Sequence, residues 1–166
     1  KFVYTIATFH TPTGVCLSLE RRHRLLELAR EWDFLVLEDN VYGELRYTGD
    51  TLPTLFSLDT HDRVVKIDSF SKTIAPALRL GWVTGHADAI ASLSAVRGDL
   101  GVSQWLARVA EGFLAEGLYD PHLEKVRALY LEKRDVALAA LEQHCAGSLS
   151  WNAPEGGYFL WCTLAD

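Results

Sequence analysis

The sequence predicts an α/β fold in which a largely parallel sheet gives way, near residues 117 to 121, to a second and smaller unit. Three observations carry this expectation. A strand-helix-strand succession fills residues 1 to 38. Phe34 to Leu37 and Val64 to Ile67 are short unbroken apolar runs, the pattern of strands covered on both faces. After Gly147 a long helical stretch changes to strand-like residues.

Each element has its own local reason. Lys1 to Phe9 is rich in β-branched and aromatic residues and closes on the turn-forming cluster His10-Thr11-Pro12-Thr13-Gly14, so a strand enters a loop there. Ser18 caps a helix predicted over Leu19 to Trp32: Leu25, Leu28, Ala29 and Trp32 recur at helical spacing, and Glu20, Arg21, Arg22, Arg24, Glu27 and Arg30 form the polar face. Phe34 to Glu38 is the next strand and ends at Asp39. Arg63 to Ile67 repeats its pattern, with Ser69 to Lys72 in the loop at its carboxyl end, where sheets of this kind bind ligands. Leu80 to Thr84 supplies a further strand. Helices follow near Ala87 to Val96, Val102 to Glu116 and Pro121 to His144. The last carries Leu123, Val126, Leu129, Tyr130, Val136 and Leu141 among charges, the pattern of a surface helix packed on one side. Leu149 to Trp151 and Tyr158 to Thr163 are expected to pair around Pro154-Glu155-Gly156-Gly157. Residues 1–118 thus form one domain part, and 119–166 a long connecting helix and the beginning of another.

Composition bounds the function. At 166 residues, 49% hydrophobic and 23% charged, the chain can bury one ordinary core. A net charge of -6 and the absence of a Lys/Arg run argue against nucleic acid as a partner of this segment. Cys16, Cys145 and Cys162 are odd in number and show no C-x-x-C spacing, so neither a disulfide framework nor a zinc site is expected, and reducing cytoplasm is the expected compartment. The apolar runs are shorter than a membrane span, so no membrane partner is expected. The chain opens at Lys1 directly into a strand, contains no methionine and stops at Asp166 just after another strand, from which we expect a segment of something longer.

The chemistry concentrates in Glu38-Asp39-Asn40-Val41-Tyr42, Ser69-Phe70-Ser71-Lys72 and Pro76-Ala77-Leu78-Arg79-Leu80-Gly81. Lys72 is an amine at a strand end, able to form an imine with an aldehyde. Ser69 and Ser71 alternate in an extended segment, which puts both hydroxyls on one side, and Arg79 offers a planar, permanently charged fork. Together they suit a phosphate. Asp39 follows a buried strand and needs a cationic partner, which a protonated pyridine nitrogen supplies. Tyr42 lies within reach of a ring hydroxyl. These are the parts that pyridoxal 5'-phosphate needs. The six histidines show no H-E-x-x-H spacing and are read as solvated or capping, with no metal. Arg97-Gly98-Asp99 reads as a turn, and Trp82, Trp105, Trp151 and Trp161 as core or interface.

On these motifs the chain resembles the cofactor-binding half of a fold-type I pyridoxal-phosphate enzyme of the class I/II aminotransferase group, along nearly its whole length. The resemblance implies a three-layer αβα arrangement around a mixed, mostly parallel sheet, followed by the start of a small α+β domain that Gly156-Gly157-Tyr158-Phe159 enters. It implies that Lys72 forms the internal aldimine and abstracts the substrate α-proton. Asp39 then faces the ring nitrogen, Tyr42 the ring hydroxyl, and Ser69, Ser71 and Arg79 the phosphate. Thr11 stands where the family's N-P-x-G loop has asparagine and keeps only a shorter hydroxyl donor. The resemblance further implies an amino acid and a 2-oxo acid as substrates, amino-acid metabolism, and a homodimer. The alternative is the effector domain of a MocR/GntR-type transcriptional regulator, which shares the fold; a third reading keeps the fold and changes the reaction to β-elimination or decarboxylation.

Overall fold

Val36, Val64 and Val65 are almost wholly buried, and the sheet is built around them. In the computed structural model, which describes residues 1–99 and 101–165, β1 (Phe2–Thr5), β2 (Leu35–Asp39), β3 (Val64–Ser69) and β4 (Gly81–Thr84) lie side by side in that order. The first three run parallel and β4 returns antiparallel. The helix α1 (Leu19–Glu31), capped by the Ser18 hydroxyl, crosses between β1 and β2. With the short α2 (Leu55–Leu58) it covers one face through Ala29 and Leu55, which pack on Val36 and Val64. On the other face, Phe2, Leu35, Leu37 and Val65 share an open cleft of about 690 Å³ with Leu93 of α3 (Ala87–Ala95) and with Val96, which caps that helix. The α/β class and the layered order expected from the sequence are therefore present. Beyond α3 come α4 (Gln104–Ala115), the long α5 (Tyr119–Cys145), and the antiparallel pair β5 (Leu149–Trp151) and β6 (Cys162–Leu164).

Several local expectations change. The first strand stops at Thr5, four residues short of Phe9, because Ala7, Thr8 and Phe9 leave the ladder and turn inward into the core. Arg22, placed by periodicity on the polar face of α1, is fully buried: it donates to the carbonyls of Leu17, Pro53 and Ala7 and to Thr8 Oγ1. Its partner Glu38, 3.9 Å away, in turn accepts the Leu55 and Phe56 N–H groups that open α2. Trp32, read as apolar-face, is 64% exposed at the helix end. Trp82, Trp105 and Trp161 are likewise exposed rather than core, as are Leu129 and Val136 on α5, which is buried chiefly at Leu123. Tyr158 lies outside any strand, since the partner of β5 begins at Cys162.

Candidate active site at the carboxyl end of the sheet

Parallel register and the two-residue period of a strand place Tyr4, Asp39, Ile67 and Ser69 on one face, at the carboxyl ends of β1, β2 and β3. Ser69 closes β3. Its Oγ lies 3.0 Å from the Leu80 carbonyl and accepts the Ser71 N–H at 3.1 Å, and the two serine hydroxyls are 2.9 Å apart. The hydroxyls do converge, but Ser71 achieves this from a turn and not from the extended segment expected. The Phe70 N–H also donates to Leu80 O at 3.1 Å, so the loop before β4 is tied to the end of β3.

Lys72 sits in that turn, half-buried. Its Nζ is 5.7 Å from the ring centroid of Tyr42 and 5.7 Å from that of Tyr158. The two rings meet edge to face at 5.6 Å, so the amine rests against an aromatic wall. The Tyr158 hydroxyl donates to the Lys72 carbonyl at 2.7 Å. Burial first, and then the neighbouring Tyr130, push the Tyr158 phenol well above the ordinary range, which keeps it a donor.

Asp39 Oδ2 accepts the Tyr4 hydroxyl at 2.5 Å, and Oδ1 accepts the Val41 N–H at 3.2 Å. Tyr42, three residues on, is buried in a second core cluster with Phe9, Leu45 and Leu123. Thr11 Oγ1 is buried and has no hydrogen-bond partner among the described residues. An unpaired buried hydroxyl costs about 1–3 kcal/mol, so this position favours a ligand that can bond to it. Arg79 is exposed and left-handed at the end of the 3₁₀ turn Pro76–Leu78, with NH1 3.4 Å from the Pro76 carbonyl. No carboxylate pairs with it among the described residues.

A family model described as aminotransferase class I and II matches residues 1–166. The chain belongs to the class I and II aminotransferase family. Aromatic-amino-acid aminotransferase 1 of Thermococcus litoralis is 39% identical over 168 residues, covering 100% of this chain and 40% of that protein. The structure of the α-aminoadipate aminotransferase of Thermus thermophilus superposes with a TM-score of 0.92 at 34% identity, over 98% of this chain and 43% of that one. An uncharacterized HTH-type transcriptional regulator, YisV of Bacillus subtilis, is 34% identical over 169 residues, 99% of this chain and 34% of its own length. The chain thus spans about 40% of the aminotransferases it matches.

In this aminotransferase-family chain the C-terminal segment reaches the lysine through close backbone packing. The Gly157 N–H donates to Leu45 O at 3.0 Å, Tyr47 N–H to Glu155 O at 2.7 Å, and the Tyr47 hydroxyl to Gly157 O. Arg46 pairs with Glu155 at 2.5 Å while its guanidinium lies 4.8 Å over the Phe9 ring. A side chain at Gly156 has no room, since a Cβ there meets Leu45 O at 2.2 Å. Sequence reasoning missed Tyr4, Tyr158 as a lysine neighbour, and the polar set behind the strand ends, in which Asp68 accepts from Asn40 at 2.9 Å and pairs with Lys66 at 3.0 Å. A period-two count along β2 and β3 suggests the last set. The first two depend on register and on chain reversal.

Proposed function

We propose that this chain is the lysine-bearing part of a pyridoxal-phosphate-dependent aminotransferase that moves an amino group between an L-amino acid and a 2-oxo acid. The observation that carries the reading is that the one turn closing β3 bears both the Lys72 amine, set against an aromatic wall, and the paired Ser69 and Ser71 hydroxyls. The family match supports it, as does the Thermus relative, whose structure is complexed with N-(5'-phosphopyridoxyl)-L-leucine. The residues present fit such a group. Thr11 offers a buried hydroxyl without a partner, Arg79 an exposed guanidinium, and the Asp39 carboxylate keeps lone pairs beyond those taken by Tyr4 and Val41.

When bound, pyridoxal phosphate supplies an electron sink for the charge left on an amino acid that loses its α-proton. Lys72 Nζ anchors the cofactor and, as a free amine, takes and returns that proton. Asp39 holds the pyridine nitrogen protonated, Tyr42 and Thr11 serve the ring oxygen, and Ser69, Ser71 and Arg79 hold the phosphate. Charge-assisted hydrogen bonds of this kind are worth about 1.5–3 kcal/mol each. The rings of Tyr42 and Tyr158 keep water from one side of the amine.

A homodimer and a cytoplasmic site belong to the same proposal. The free Cys16, Cys145 and Cys162 support the compartment, and the family resemblance supports the dimer.

The test is to add pyridoxal phosphate to the protein that carries this chain. A visible absorbance band is expected, absent from Lys72→Ala; no band, or a band that survives the substitution, overturns the reading. Turnover of an amino acid that depends on an added 2-oxo acid identifies an aminotransferase. The similarity to YisV favours, as a second reading, an effector domain of a regulator. That reading is selected if the same band forms and shifts with an amino acid but no keto acid is consumed.

A further inference from the structure

Tyr4 belongs to no group of residues that the motifs single out, yet it makes the shortest contact of the Asp39 carboxylate. In β1 it pairs in register with Leu37, and Asp39 lies two residues further along β2 on the same face. That step is about 6.6 Å, within reach of a tyrosine side chain lying along the strand. The phenol ends 2.5 Å from Asp39 Oδ2, while the Val41 N–H holds Oδ1 at 3.2 Å. A carboxylate gripped at both oxygens does not rotate about its own bond, so the plane of its remaining lone pairs is fixed. Packing does not account for Tyr4, because the residue is 53% exposed and its ring lies outside both core clusters. What the fold uses is the hydroxyl.

We propose that Tyr4 is a positioning residue for Asp39, turning the carboxylate so that it presents an oxygen to the N–H of the pyridine ring. The proposal rests on the pyridoxal-phosphate reading above and adds to it the group that aims the acid. Burial, with Asp39 second, raises the Tyr4 phenol to about 12, so the phenol keeps its proton at working pH and acts only as a donor toward the carboxylate.

The experiment compares the protein carrying this chain with its Tyr4→Phe, Asp39→Asn and doubly substituted forms. Dissociation constants are measured by equilibrium dialysis for pyridoxal phosphate and for its 1-deaza analogue, in which a C–H replaces the ring nitrogen. Phenylalanine keeps the ring, so circular dichroism should be unchanged. Loss of one hydrogen bond to a charged group should weaken pyridoxal phosphate about tenfold. The deaza analogue should change by less than about twofold, because it has no N–H to meet. The double substitution should bind no worse than Asp39→Asn alone, as expected of residues acting in one chain of contacts. Without any cofactor, the late-titrating phenol absorbance should fall toward the ordinary tyrosine range in Asp39→Asn. Equal losses for both ligands, or additive losses in the double form, overturn the role of Tyr4. Wild-type protein that binds neither ligand overturns the cofactor reading itself.

Discussion

The hydroxyl of Tyr158 donates to the backbone carbonyl of Lys72 across 86 residues of sequence, at 2.7 Å, and the same tyrosine ring lies 5.7 Å from the lysine amine. One residue of the C-terminal segment therefore fixes both the backbone and the surroundings of the candidate catalytic lysine. Tyr158→Phe keeps the ring and removes the hydroxyl with its bond to the Lys72 carbonyl, which should cost about 1 kcal/mol, or roughly 2–4 °C in melting temperature. Tyr158→Ala also removes one side of the aromatic wall. Lys72 should then react faster with a water-soluble acylating reagent, as read by peptide mass spectrometry.

Gly156 is where that segment meets the rest of the fold. A methyl group there would meet Leu45 O at 2.2 Å and the Phe9 ring at 2.3 Å, both held by their surroundings. Gly156→Ala is expected to destabilise by about 1–3 kcal/mol, the range for overpacking, and to move Tyr158 away from Lys72. Thermal unfolding and the Lys72 acylation rate check the two effects together.

Arg22 and Glu38 give a pH-dependent prediction. Burial raises Glu38 above the usual carboxylate range, opposed by the Phe56 and Leu55 N–H groups and by Arg22. The folded state thus holds this proton more tightly than the unfolded one, and the contribution of Glu38 is fully present below its unfolded value and lost as pH rises through the folded one. Arg22→Ala takes away the opposing cation and should cost about 3–5 kcal/mol near neutral pH, since a buried charge is left alone. The deficit should shrink on acidification. Denaturant midpoints at several pH values measure it.

Ser69 and Arg79 are predicted to part company. Ser69→Ala cuts the tie to Leu80 and the turn of Ser71, so both stability and pyridoxal-phosphate retention should fall. Arg79 is exposed, and Arg79→Ala should leave unfolding within about 0.5 kcal/mol while cofactor retention falls at least tenfold. Dialysis and thermal melts on the two variants separate these outcomes.

Tyr4 adds an alkaline signature. Its phenol stands at about 12 in the fold against 10.0 for the ordinary group. Being raised, it contributes stability that is present below pH 10 and lost as pH climbs through 12. Tyr4→Phe should therefore flatten the fall in stability over that interval relative to wild type, as measured by denaturant unfolding in alkaline buffers.

The α/β class, the order of the main elements and the convergence of the Ser69 and Ser71 hydroxyls beside Lys72 in the turn after β3 were legible in the sequence. The sequence shows them because those features are local: apolar runs of strand length, a capping serine, and motif residues within a few positions of one another. Two kinds of fact were closed to it. Periodicity put Arg22 in solvent, whereas a guanidinium is buried once several fixed carbonyls happen to surround it, and those of Ala7 and Pro53 arrive from distant segments. Nor could it pair Tyr4 with Asp39 or Tyr158 with Lys72. Only the register of β1 on β2, and the return of the chain after α5 onto Leu45 and Phe9, decide which side chains meet, because such contacts are set by long-range packing and not by the residues next door.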